Sequence, residues 1–184
     1  MNRLLSLYYS TFGTLDKAAP LIPLLARFLF AAILLSYFWA SALTKVDGVG
    51  LSSGAYAQIF PRAFEAAGYD TGALGLFHTL VVAAGTLAEF LLPALIILGL
   101  FTRAAALGMV GFVVVQTLTD LFGHRVIEEA SALGQWFDKH PDSLILDQRG
   151  LWIFLLLTLT IKGAGPLSLD RWLRARQGAA PLTA

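Results

Sequence analysis

The chain has 184 residues, 57% of them hydrophobic and 14% charged, with a net charge of +1 and a mean hydropathy of +0.71. Soluble domains carry about 25% charged residues, so this composition excludes a soluble enzyme, and the balanced charge supplies no basic field for a nucleic-acid partner. With no cysteine, disulfides, thiol catalysis and thiolate-held clusters are excluded too, and any redox role needs an organic cofactor, a metal on His or carboxylate, or a partner subunit.

Residues 1–19 place Leu4, Leu5, Tyr8, Tyr9, Phe12 and Leu15 at helical spacing, with Arg3, Asp16 and Lys17 at the ends. That pattern predicts an amphipathic helix lying in the membrane interface. The first span is predicted over 20–43, with Pro20 and Pro23 in its first turn and Arg27 as its only charge. Ala40-Ser41-Ala42 resembles a signal-peptidase site, but the preceding apolar run is long and contains Arg27, so the segment reads as a retained span. An outer loop follows over 44–72, broken by glycines and Pro61, in which Tyr56, Ile59, Phe60 and Phe64 predict a short interfacial helix.

The second span is predicted over 73–100 and contains His78, Glu89 and Pro93; the proline is expected to kink it. The turn Phe101-Thr102-Arg103 leads directly into a third span over 104–122, so these two helices form a hairpin. A second outer loop, 123–149, carries five carboxylates and an amphipathic pattern from Val126 to Phe137. The fourth span, 150–167, is the shortest, with Lys162 near its end. Trp39, Trp136, Trp152 and Trp172 read as interface anchors. Gly85, Gly108 and Gly111 read as sites of close helix packing.

Seven Lys and Arg lie at the end holding both termini and the short turn, and five lie at the long-loop end, among eight acidic residues. Basic residues near span ends face the cytoplasm. The expected product is a single membrane unit over 1–184, an all-α integral membrane bundle of four transmembrane helices with interfacial amphipathic helices. It sits in the inner membrane with both termini cytoplasmic.

The segment from Ala88 to Leu107, AEFLLPALIILGLFTRAAAL, resembles the central hairpin of the DoxX family: a Glu in an apolar helix, a Gly ten residues on, then a Thr-Arg turn. The tail GAGPLSLDRWL, Gly163 to Leu173, is similar to that family's ending, and Arg27 and Lys45 stand where its first helix carries charges. The resemblance implies a membrane subunit or accessory protein of a redox system, linked to quinone and to an external electron donor such as a sulfur compound. The long outer loops depart from compact members. Two other classes stand beside this one: a small-molecule or ion carrier, and a scaffold that recruits a periplasmic partner.

A charge inside a span costs about 2.5–3.5 kcal/mol on insertion scales, so each needs a reason. Glu89 lies ten residues before Gly99 and Arg27 seven after Pro20, about 15 and 10 Å from the cytoplasmic end at helical rise. Those depths suit an Arg27–Glu89 pair locking two spans, or a Glu89 that accepts protons beside a quinone, or a Glu89 that pairs with Arg103. On span three, Gln116, Asp120 and His124 share one stripe. The hairpin brings His78 to their depth, and Lys45 could neutralise Asp120. His78, Asp120 and His124 are the residue types of a metal or haem site, or they are plain hydrogen-bonded interfacial residues; no metal or haem is expected. Glu89, Arg27 and Asp120 are thus the catalytic candidates, and His78, His124, Lys45 and Arg103 the cofactor-binding ones. Expected partners are the lipid bilayer and either an oxidoreductase subunit or a periplasmic protein; the oligomeric state stays open.

Overall fold

A computed structural model describes residues 2–178; residues 1 and 179–184 of the expected 1–184 unit lie outside the described residues. Four long apolar helices, Arg3–Thr44, Leu76–Leu98, Thr102–Gly123 and Leu144–Lys162, have the length and composition to cross a membrane. The shortest, 19 residues, is about 28 Å long at helical rise and matches one hydrocarbon thickness. The protein is a multi-pass, all-helical membrane protein with four candidate spans.

The first helix begins as α1 (Asn2–Phe12), passes through a 3-10 stretch (Gly13–Leu21) and becomes α2 (Ile22–Phe30) and α3 (Ser36–Thr44), joined by a π turn at Ala31–Leu35. Its buried residues Ala26, Phe30, Leu34, Phe38 and Ala42 recur every four positions. An α-helix turns about 100° per residue, so a four-residue repeat over-rotates by about 40° each time; the wider π turn takes back part of that drift. The amphipathic helix expected over 1–19 corresponds to α1 and the 3-10 stretch after it, which run on into the first long helix without a break; Leu4, Tyr8, Phe12 and Leu15 are exposed.

Past Lys45 the chain forms a small hairpin, β1 (Val46–Asp47) and β2 (Gly50–Leu51), absent from the sequence reading. Then come α4 (Ser53–Ile59) and α5 (Pro61–Ala66). Tyr56 and Phe64 of this pair are buried against Val82, so the expected interfacial helix is two short helices packed on the second span. α6 (Leu76–Leu98) runs through Pro93 as one helix, and α7 (Thr102–Leu118) continues into a π turn at Thr119–Gly123. The pattern from Val126 to Phe137 yields only a 3-10 turn and the four-residue α8 (Ala130–Leu133). Gly134 and Phe137 adopt φ of +75° and +68°, which no helix continues.

The last span begins six residues before its predicted start. Ser143 donates its N–H and hydroxyl to the Asp147 carboxylate and accepts from Asp147 N, and this reciprocal cap opens a π turn at Leu144–Gln148. α9 (Arg149–Lys162) follows and stops at Gly163, φ +81°, short of the predicted Leu167. α2, α9, α7, α6 and α3 pack in sequence around a closed ring, with Phe30, Leu34, Ile96, Met109 and Leu156 at its centre.

One end of the ring is tied by the segments that carried the family resemblance. Arg27 donates to four carbonyls: Ile96 and Ile97 at the end of α6, and Ala164 and Leu167 after α9. The last carbonyls of a helix lack intrahelical N–H partners; Ile96 O takes the Gly99 N–H as well as Arg27 Nε. Asp170, at the start of α10 (Leu169–Arg176), accepts from Phe101 N at 2.7 Å and Thr102 N at 3.0 Å, and so caps α7 from outside. Gly99 has φ +67°, and a Cβ there would lie 2.6 Å from Ser168 Cβ and 2.9 Å from Arg27 Cζ.

Candidate functional site

The expected Arg27–Glu89 pair does not form. Arg27 lies level with Ile96, seven residues past Glu89, where four carbonyls accept from its guanidinium. Glu89 is instead the partner of Lys45: Nζ donates to Oε1 at 3.0 Å and Oε2 at 2.8 Å. The lysine stem folds back one turn along α3, so Nζ also donates to Ser41 Oγ at 2.7 Å. Ser41 in turn donates to Glu89 Oε1 at 3.1 Å. Both charged side chains are at least 95% buried. Glu89 does not pair with Arg103, which is exposed at the start of α7, against Gly163 at the far end of the bundle.

Lys45 does not neutralise Asp120. That role falls to Arg149, whose Nη2 bonds Asp120 Oδ2 while Nη1 donates to Thr117 Oγ1 at 3.0 Å. Arg149 is 2% exposed. A fourth span starting at Gly150 places Arg149 among the outer-loop cations. The Ser143–Asp147 cap was the missed signal, since it moves the helix start upstream and carries Arg149 inside the bundle.

Gln116 donates to the Tyr37 hydroxyl at 2.8 Å, and its Oε1 is buried without a partner, as is Arg149 Nε. His124 Nε2 donates to the Gln58 carbonyl of α4 at 3.0 Å. His78 does not join Asp120 and His124. Its ring packs against Phe60 and Phe77, with centroids 4.9 and 5.7 Å apart. Being in the first turn of α6, it lies against Phe60 at the junction of α4 and α5, the segment expected as a single short interfacial helix. No group of three His, Asp or Glu side chains among the described residues is placed to hold a metal ion.

The two ion pairs, Gln116, Tyr37 and His124 line one cavity of about 550 Å³ between α3, α6 and α7, roofed by α4. That volume suits a small organic ligand. Most of the remaining wall is apolar, from Ile59, Val81, Leu92, Phe112 and Val115. Gly85, Gly108 and Gly111 also line it; Gly85 and Gly108 allow the expected close packing, against Ile59 and Leu92, while Gly111 faces open space. A Cβ at Gly108 would touch Leu92 at 3.3 Å, but one at Gly111 meets nothing within 4 Å. Two of the π turns border the cavity, at Thr119–Gly123 and Leu144–Gln148; such turns recur at functional sites. Among the tryptophans, the partly buried Trp152 packs on Tyr37 and Phe38, and Trp39 donates to the Phe90 carbonyl at 3.2 Å.

The family model described as DoxX matches residues 22–124, more than half of the chain. The chain belongs to the DoxX family. No curated protein and no solved structure matches it significantly. The DoxX match covers Arg27, Lys45, Glu89, Gln116, Asp120 and His124, hence most of the cavity wall. Arg149 and the capping residue Asp170 lie beyond it.

Proposed function

We propose that this DoxX protein is the quinone-facing membrane subunit of a redox system. It lies in the inner membrane with both termini cytoplasmic and takes electrons from an external donor or a partner subunit on the long-loop side. The observation that carries the reading is the cavity wall: mostly apolar, with Gln116 Oε1 and Arg149 Nε buried and unpartnered. A buried polar atom without a partner loses about 1–3 kcal/mol, which a ligand bearing both a donor and an acceptor would recover. Both cations of the wall are already matched by carboxylates. A neutral ring with polar oxygens therefore fits better than an anion, which would face Glu89 and Asp120.

A bound quinone supplies a two-electron, two-proton couple; the chain itself has no cysteine to carry electrons. Arg149 Nε is the unpartnered donor that would hold a quinone carbonyl, Gln116 Oε1 is the unpartnered acceptor that would take a quinol hydroxyl, and Glu89 and Asp120 are the wall carboxylates that would take up or release protons. Ser41 orients the Glu89 carboxylate. The apolar wall excludes water from the ring. The test is a mass spectrum of the organic extract of purified protein beside that of Gly111→Leu, whose side chain would grow into the open space beside α7. Quinone retained by the native protein and lost from the variant is the expected result. An extract without quinone, with solute flux in liposomes, would replace this reading with a carrier.

A further inference from the structure

The cavity has polar groups along its length and a dry floor. On α3 and its approach, Tyr37, Ser41 and Lys45 are spaced four apart; on the third span, Gln116, Asp120 and His124 repeat the same spacing. Residues four apart share a helix face, and the Gln116–Tyr37 hydrogen bond sets the two rows level. Together with Glu89 and Arg149 they form a continuous polar run, from the exposed His124 at the mouth down to Gln116. Its titratable members are Tyr37, Lys45, Glu89, Asp120, His124 and Arg149. Towards the other end the character changes abruptly. Phe30, Leu34, Ile96, Met109 and Leu156 are each no more than 1% exposed, and beyond them Arg27 is hydrogen-bonded to carbonyls, with the Asp170 carboxylate of α10 nearby. Among the described residues, no buried carboxylate lies between Glu89 and that end.

We infer that the cavity is a one-sided proton conduit: Glu89 exchanges protons with the aqueous phase on the long-loop side, past Lys45, Asp120 and His124, and is sealed from the side of the chain termini. Water and protons follow polar walls, and a plug of interlocked aromatic and aliphatic side chains offers them no partner. The inference does not depend on a quinone being the occupant. It fixes which compartment gains or loses the protons of any reaction in the cavity.

A chain without cysteine gives a clean background for thiol labelling. Gly111→Cys and Ala88→Cys place a thiol on the cavity wall, and Ala105→Cys places one in the plug. Ser53→Cys and Arg174→Cys report the two membrane faces. The cysteine thiolate attacks a methanethiosulfonate, forming a mixed disulfide and releasing methanesulfinate, so reaction also requires that the thiol proton can leave to water. An impermeant sulfonated reagent, and Ag⁺ as a smaller probe, are applied to each face of sealed vesicles. The expected result is full modification of Gly111→Cys and Ala88→Cys from the face that modifies Ser53→Cys, with none from the Arg174→Cys face. Ala105→Cys should stay unmodified from both. Modification of the cavity thiols from the Arg174→Cys face overturns the inference. So does a failure of both probes to reach them from either face. Neither result bears on quinone in the extract, so the two readings fail separately.

Discussion

The Lys45–Glu89 pair gives the sharpest energetic expectation. The two side chains are 5% and 3% exposed and 2.8 Å apart. At an effective dielectric of about 20 their gross attraction is about 6 kcal/mol, part of which desolvation cancels. Removing one partner strands the other charge, at about 3–5 kcal/mol, whereas replacing both by neutral groups is often close to neutral. Lys45→Met leaves Glu89 with only the Ser41 hydroxyl, and Glu89→Gln leaves Lys45 with Ser41 and an amide. Each single variant is therefore expected to lose about 3–5 kcal/mol, and the double variant less than either single. Unfolding of the four proteins in one detergent, followed by tryptophan fluorescence, closes the cycle. Effects that add to within about 0.5 kcal/mol would mean the two charges are independent and the pairing is wrong.

The remaining expectations concern the other tied points. Asp120→Asn should destabilise more than Arg149→Met, because the first strands a guanidinium 3% exposed and the second a carboxylate 26% exposed; the reverse order in detergent unfolding would contradict the burial of Arg149. Arg27→Lys should fail to rescue Arg27→Ala, since one ammonium cannot span the carbonyls of Ile96, Ile97, Ala164 and Leu167; a lysine variant of native thermal stability would refute that role. Gly99→Ala should lose at least about 1–2 kcal/mol from its left-handed backbone alone, with more from Ser168, whose Cβ would be 2.6 Å away; unchanged unfolding would show that the turn relaxes freely.

The layout of the fold was legible because apolar runs of membrane length leave little choice of element, and the hairpin at Gly99–Thr102 announced itself by its shortness. Partners were harder to read. Counting residues placed Arg27 and Glu89 at neighbouring depths, but depth alone ignores the carbonyls of a helix end, which took Arg27 first. It also treats a lysine as sitting at its Cα, whereas the Lys45 stem reaches back a full turn to Glu89. Arg149 was hidden because the start of span four was read from hydropathy, and the Ser143–Asp147 cap is polar. The stripe of Gln116, Asp120 and His124 was visible from spacing. The place of His78 was not, because the folding of residues 53–66 onto α6 rests on long-range contacts of Tyr56 and Phe64. The glycines of spans two and three carry no sign of whether the missing side chain leaves room for a neighbour or for a ligand. Only the neighbours decide that, and at Gly111 there are none within 4 Å.

The central claim is that the cavity between the two ion pairs holds a quinone ring. The most direct measurement is photolabelling of the purified protein with an azido-quinone, with and without excess unmodified quinone, followed by peptide mapping. Adducts are expected only in the facing stretches around Ala88–Leu92 and Gly111–Gln116, both on the cavity wall, and are suppressed by the competitor. Adducts spread over exposed lipid-facing positions such as Leu107, Val114 and Phe154, or labelling that the competitor leaves unchanged, would contradict it.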